Sequence, residues 1–275
     1  MLKEKKFDTG VVEINYAEGP DSGPPLVLVH GGGDRWQGFL PIIPSLIIRW
    51  HVYALDLRGH GKSGRVPGAY RPDQYLEDIL SFLENQVAEP GVLFGSSLGG
   101  WVALLAAAQA KGKVKGLILG DPPLDLDRFL AYEGSEERIA TWQGMRELAG
   151  AGLSLPDLTS ALAGSPFSGE MRAWAKSLSE VDPDVAAYHA EGRLDEYVKK
   201  LDLESALQQL ACPVLLIQGD QSQGGWVSDE DVERVLELLA DGVHVRLDGI
   251  GHNLGLDTWE VNLLLRAITG FLESL

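Results

Sequence analysis

One serine stands with a glycine two residues away on either side, in the stretch Val92-Leu93-Phe94-Gly95-Ser96-Ser97-Leu98-Gly99-Gly100-Trp101. The residues before Gly95 are an apolar run, which reads as a strand, and Trp101 to Ala110 is apolar and alanine-rich, which reads as a buried helix. A serine at the tip of so sharp a turn is held with its hydroxyl away from its own backbone. Gly95 and Gly99 occupy places where side chains would collide. The helix N-terminus aims free N–H groups and a positive dipole end at the same spot, so an oxyanion forming beside Ser97 would be stabilised there. The chemistry this suits is attack by Ser97 on a carbonyl carbon. A Gly/Ser-rich loop with no chemistry shares the spacing, but the strand before it and the helix after it favour the turn.

The elements around this stretch alternate. Leu26-Val27-Leu28-Val29, Val52-Tyr53-Ala54-Leu55, Leu117-Ile118-Leu119 and Val214-Leu215-Leu216-Ile217 are short continuous apolar runs, as expected of strands buried on both faces. Gly10 to Tyr16 reads as an edge strand and Val243 to Leu247 as the last strand. Helical spacing runs from Asp73 to Val87 and again from about Asp257 to Leu272. Strand alternating with helix predicts an α/β fold with a mostly parallel sheet and helices on both faces. No strand signal interrupts residues 122–211, which read as short helices broken by Gly, Pro and Ser. We therefore expect a core of residues 1–121 and 212–275, with 122–211 inserted as a helical lid over the C-terminal edge of the sheet. Trp142, Trp174, Phe129, Phe167, Met145 and Met171 could line a pocket from above, although packing of the lid on the core is the better explanation for most of them.

Four pieces carry a resemblance: His30-Gly31-Gly32-Gly33, Asp56-Leu57-Arg58-Gly59-His60-Gly61-Lys62-Ser63, Gly95-Ser96-Ser97-Leu98-Gly99 and Gly251-His252. From about residue 10 to the C-terminus, outside the lid, the chain resembles the α/β-hydrolase superfamily. The resemblance implies the nucleophile elbow for Ser97 and the chain order serine, acid, histidine. His252, on the loop after the last strand, is then the expected general base; His30 and His60 belong to glycine-rich turns, His51 and His244 lie in or beside strands, and His189 lies in the lid. The resemblance also implies an oxyanion hole from the backbone N–H groups of Leu98 and Gly32. Asp56, Arg58 and Ser63 match the family as loop braces.

The acid departs from the pattern. Family members usually carry it on the loop after the strand Val214–Ile217, three residues past the glycine, and Ser222 stands there. Two aspartates remain: Asp121, at the end of the strand after the nucleophile, where some family members keep their acid, and Asp220 on the usual loop. Asp121 is preferred because its slot is known to hold an acid; an N-cap or turn role before Pro122-Pro123 is its competing explanation. Asp229, Glu230 and Asp231 read as the first turn of a helix.

A serine at the elbow points to acyl transfer rather than to the alkyl capture of aspartate-bearing relatives. The leading expectation is hydrolysis of a small-to-medium, mainly apolar ester, thioester or lactone. The same machinery would serve a C–C bond hydrolase or a perhydrolase, and a ligand-binding receptor on the same fold is the alternative from another class. With 23 Lys and Arg against 40 Asp and Glu, the net charge of −17 argues against nucleic-acid and anionic-membrane partners. The single cysteine, Cys212, excludes an intramolecular disulfide and reads as a small buried residue. No metal cluster, cofactor fingerprint, signal peptide or membrane span is expected, which suggests the cytoplasm. The oligomeric state is open, an apolar lid surface being one route to a homodimer.

Overall fold

The computed structural model describes residues 2–163 and 171–275, with the side chains of Met171 and Arg172 left aside; Phe167 and the Met171 side chain thus lie outside the described residues. The strands are β1 (Lys3–Asp8), β2 (Glu13–Glu18), β3 (Pro25–Val29), β4 (His51–Leu55), β5 (Gly91–Ser96), β6 (Val114–Gly120), β7 (Val214–Gly219) and β8 (Gly242–Leu247). They form one sheet in the order β1-β2-β4-β3-β5-β6-β7-β8. From β4 to β8 all neighbours are parallel, while β1 and β2 add an antiparallel edge.

Period-two alternation divides the core. Val27, Val29, Leu93, Leu117, Leu119 and Leu216 face one way, onto α2 (Pro72–Gln86), α3 (Leu98–Gln109) and α11 (Asp229–Leu238). Leu26, Leu28, Phe94, Ile118, Leu215 and Ile217 face the other way, onto α1 (Ile43–Leu46) and α12 (Asn262–Ser274). With helices on both faces, neither side of the inner strands meets water, which is why those strands read as unbroken apolar runs.

Two boundaries differ from the sequence expectation. The stretch Gly10–Tyr16 is not the edge of the sheet: β2 starts at Glu13 and is covered by β1. β1 is the sequence KEKKFD with five of its six residues exposed, so no hydrophobic period marks it. The last helix starts at Asn262 rather than near Asp257, because the chain first doubles back, with Gly255 at φ +76° against the carbonyl of Glu260.

Between β6 and β7 the described residues hold helices α4 (Leu126–Glu133), α5 (Glu136–Gly150), α6 (Leu155–Leu162), α7 (Met171–Ser179), α8 (Ala187–Ala190), α9 (Leu194–Val198) and α10 (Leu203–Gln208), and no strand. This segment has two roots. Phe129, Leu194, Tyr197, Leu203 and Leu207 belong to the main core. Met145, Leu158, Leu162, Ala175, Leu178 and Val181 form a small core of their own.

The chain runs β3, β4, then crosses to β5 on the far side of β3, so the connections diverge between β3 and β5. Ligands of open α/β sheets bind at such a point. The loops there are braced from below. Asp56, fully buried after β4, accepts from the N–H groups of Trp36 (2.7 Å) and Lys62 (3.0 Å) and from Asn15 Nδ2 (2.8 Å). Arg58 forks onto Asp78 of α2 through Nε (2.6 Å) and Nη2 (2.8 Å), with both side chains almost wholly out of solvent. Asp78→Ala leaves the Arg58 charge buried and unpaired. We expect a loss of about 3–5 kcal/mol in denaturant unfolding; a loss under about 1 kcal/mol would show that the pair does not brace this loop.

Candidate active site

Ser97 joins β5 to α3 at φ 54°, ψ −121°, a backbone region that a side chain rarely occupies. Close approach makes the glycines obligatory. A Cβ at Gly95 would lie 2.1 Å from the carbonyl oxygen of Gly99, and one at Gly99 would lie 2.1 Å from that of Val29. The strain is held by main-chain bonds, from Ser97 N–H to Gly120 O (3.0 Å) and from Gly100 N–H to Ser97 O (2.8 Å).

His252 stands on the loop after β8. Its Nε2 is 2.9 Å from Ser97 Oγ, and its Nδ1 is 2.8 Å from Asp121 Oδ2. Asp121, at the end of β6, is fully buried with φ +46°. Its carboxylate also accepts from the N–H groups of Gly219 (2.9 Å), Trp226 (2.8 Å) and Val227 (3.1 Å). Those donors offset the cost of placing a negative charge where no water reaches it. A carboxylate has no hydrogen to give, so His252 carries its proton on Nδ1 and turns the lone pair of Nε2 to the serine hydroxyl.

Asp220 does something else. It accepts from Ser222 N–H (2.9 Å), Ser222 Oγ (2.7 Å) and Gly249 N–H (2.8 Å), and its own N–H donates to Ile250 O (2.7 Å). The Ser222 hydrogen bond, with those from the loop backbone, lowers its pKa. Asp220 thus ties the loop after β7 to the loop that carries His252. Ser222, in the family's usual acid slot, is one of its donors.

The loop after β3 lies against the elbow. A Cβ at Gly31 would be 3.2 Å from Ser97 Cβ, and one at Gly32 would be 3.7 Å from Leu98 Cδ2. Among the described residues, the N–H groups of Gly32 and Leu98 meet no acceptor. Two buried histidines hold this loop, a role no sequence signal announced beyond their place in glycine-rich turns. His30 Nδ1 donates to Gly31 O (2.7 Å) and its Nε2 accepts from Leu57 N–H (3.0 Å). His60 Nδ1 donates to Arg58 O (2.9 Å) and its Nε2 accepts from Gly33 N–H (3.0 Å). Burial lowers the pKa of His30 to about 4 and of His60 to about 3, so both rings are neutral and can accept.

A cleft of about 780 Å³ opens above Ser97 and His252. Phe129, Trp142, Met145 and Trp174 of the helical segment border it. Among its polar members, sequence reading missed Asp34, Glu133, Arg138 and His189; only Glu133 and Arg138 are near each other in the chain, and the four match no motif. Burial raises Asp34 to about 6, and Ser177 Oγ of α7 donates to it at 3.3 Å. Cys212 is buried and its thiol is pushed up to about 11 by burial, the state of a packing residue. Among the described residues no cluster could hold a metal ion, and no helix is long and apolar enough to cross a membrane.

Residues 26–272 match the model of the alpha/beta hydrolase family. The chain belongs to that family. Among the relatives of this hydrolase, a 2-(acetamidomethylene)succinate hydrolase of Mesorhizobium japonicum is 26% identical, over 98% of this chain and 95% of its own. An esterase of Mycobacterium tuberculosis is 29% identical over 92% and 84%. A pimeloyl-[acyl-carrier protein] methyl ester esterase of Nitrosomonas europaea is 31% identical over 74% and 79%. The solved structure of E-2-(acetamidomethylene)succinate hydrolase superposes with a TM-score of 0.75 at 23% identity, covering 99% of this chain and 100% of that one, which shows the shared fold.

The histidine braces make a prediction about pH. The folded pKa of His60 lies below the ordinary 6.5, so between about pH 6.5 and 3 the unfolded chain binds the extra proton and stability falls with falling pH. His60→Gln removes that proton uptake. Thermal unfolding should place the variant below the wild type at pH 7, with the gap closing toward pH 4; a gap constant across that range would exclude a neutral, accepting His60.

Proposed function

We propose that this hydrolase cleaves a small-to-medium, mainly apolar carboxylic ester, thioester or lactone through an acyl-enzyme on Ser97. The observation that carries this reading is the unbroken relay from Ser97 Oγ through the ring of His252 to Asp121 at the tip of a strained turn. His252 Nε2 takes the hydroxyl proton as Ser97 Oγ attacks the carbonyl carbon. The N–H groups of Leu98 and Gly32 receive the developing oxyanion, in an arrangement where each donor is typically worth about 10²–10³ in kcat. The imidazolium then gives its proton to the leaving oxygen or sulfur. Water enters, loses a proton to His252 and releases the acid.

Asp121 keeps the ring in the required tautomer and balances the imidazolium charge. The helices between β6 and β7 act as the lid, and the aromatic lining supplies the apolar preference. The relatives named as esterases support ester cleavage. A carboxylate 2.8 Å from His252 supports the enzyme reading over a ligand-binding receptor.

Hydrolysis of p-nitrophenyl butyrate tests the assignment. Ser97→Ala should lose turnover and labelling by a fluorophosphonate. Asp121→Asn should lower kcat by roughly 10⁴ by presenting the wrong tautomer. Asp220→Asn should fall by less than about tenfold, because Asp220 acts only through the loop. Labelling of Ser97→Ala would overturn its role as nucleophile, and a deeper loss in Asp220→Asn than in Asp121→Asn would overturn Asp121 as the acid.

A further inference from the structure

Away from Ser97 the cleft is walled by rings in series. Trp226 lies 6.5 Å from the ring of His252, Phe129 lies 5.8 Å from Trp226, and His189 lies 6.1 Å from Phe129. At the end of that series stands a polar group. Glu133, 5% exposed, accepts from Arg138 Nη2 (2.9 Å) and Nε (3.3 Å) and from Trp142 Nε1 (2.6 Å). The pair is charge-neutral, and among the described residues Arg138 Nη1 meets no acceptor. The His189 ring sits 4.5 Å from Trp142 and 4.8 Å from Tyr197. It is 93% buried (7% exposed), its Nδ1 is out of solvent with no partner, and its other nitrogen makes no hydrogen bond among the described residues. Burial, and then the charge of Arg138, hold its pKa at about 3, so the ring is neutral. With Nδ1 sealed from solvent, Nε2 is the ring nitrogen that a ligand in the cleft can meet.

Resting on the reading of Ser97 as nucleophile, we propose that Arg138 and His189 form a subsite for an uncharged hydrogen-bond acceptor, such as an amide carbonyl, on the substrate chain distal to the scissile bond. Arg138 Nη1–H and a proton on His189 Nε2 are the donors. A terminal carboxylate fits poorly. The arginines bordering the cleft are Arg138 and Arg35, and each is already paired with a carboxylate, Glu133 and Glu180 (3.5 Å) respectively. A buried anion there would have no counter-charge of its own. The substrate class is therefore an ester, thioester or lactone with an apolar middle and a neutral polar end.

Three p-nitrophenyl esters of one chain length test this, ending in methyl (hexanoate), primary amide (adipamate) and carboxylate (hydrogen adipate). For the wild type, kcat/KM for the amide should exceed that for the carboxylate by at least tenfold. His189→Phe keeps the ring contacts and removes the donor, and should lower the amide-to-methyl ratio about tenfold, in KM. Glu133→Gln frees the Arg138 charge and should shift preference toward the carboxylate. Tryptophan quenching in Ser97→Ala should rank the three esters in the same order by Kd, a readout independent of turnover. A carboxylate ester bound or cleaved as well as the amide, or an amide-to-methyl ratio unmoved in His189→Phe, overturns the subsite. Loss of Ser97-dependent release from all three esters, with the binding order intact, overturns the catalytic reading and leaves the subsite standing.

Discussion

A carboxylate sealed from water needs a donor for each of its lone pairs, and the site depends on how Asp121 finds them. Its donors are the N–H groups of Gly219, Trp226 and Val227 and the ring of His252. The three N–H groups come from the end of β7 and the loop after it, and the ring comes from the loop after β8. One buried side chain thus fixes two loops to the end of β6. The cost of burying the charge is offset only when all of them are in place, so the geometry is held as a set. The positive φ of Asp121 is tolerated because this arrangement over-determines it.

The same logic builds the other half of the site. The elbow brings the main chain of Gly95 and Gly99 to within contact of each other and of the end of β3, leaving no room for a Cβ. The loop after β3 is packed against this turn, and its backbone groups need partners where water does not reach. Neutral His30 and His60 supply some of them, each with one nitrogen donating and one accepting. Desolvation keeps both rings neutral, so depth in the core and function as a brace have one cause. Asp220 and Asp56 brace their own loops in the same manner, as buried or half-buried acceptors for backbone N–H groups.

The helical segment contributes in two ways because it has two roots. α4 and α9 are packed into the main core, and from there Phe129 and Tyr197 extend the aromatic wall of the cleft. α5, α6 and α7 share a small core of their own and reach the loop after β3 through Ser177 on Asp34. Polar residues between these parts, Glu133, Arg138 and His189, meet above the cleft although they come from three helices.

By itself the sequence determined the class of fold, the strands β3 to β8, the elbow at Ser97 and His252 as the candidate base. Each is written locally, as an apolar run, a glycine spacing or a residue just past a strand. β1 was not legible, since its charged residues become a strand only by pairing with β2. The choice between Asp121 and Asp220 was legible only in part: the preference for Asp121 rested on the family resemblance, not on spacing or chain order. Both lie between the serine and the histidine in the chain, and only the packing of β6 beside β7, and of β7 beside β8, brings the first to His252 and commits the second to a turn. The polar end of the cleft left no trace in the sequence for a similar reason: His189 joins Glu133 and Arg138 from a helix distant in the chain, and no pattern along the chain records that meeting.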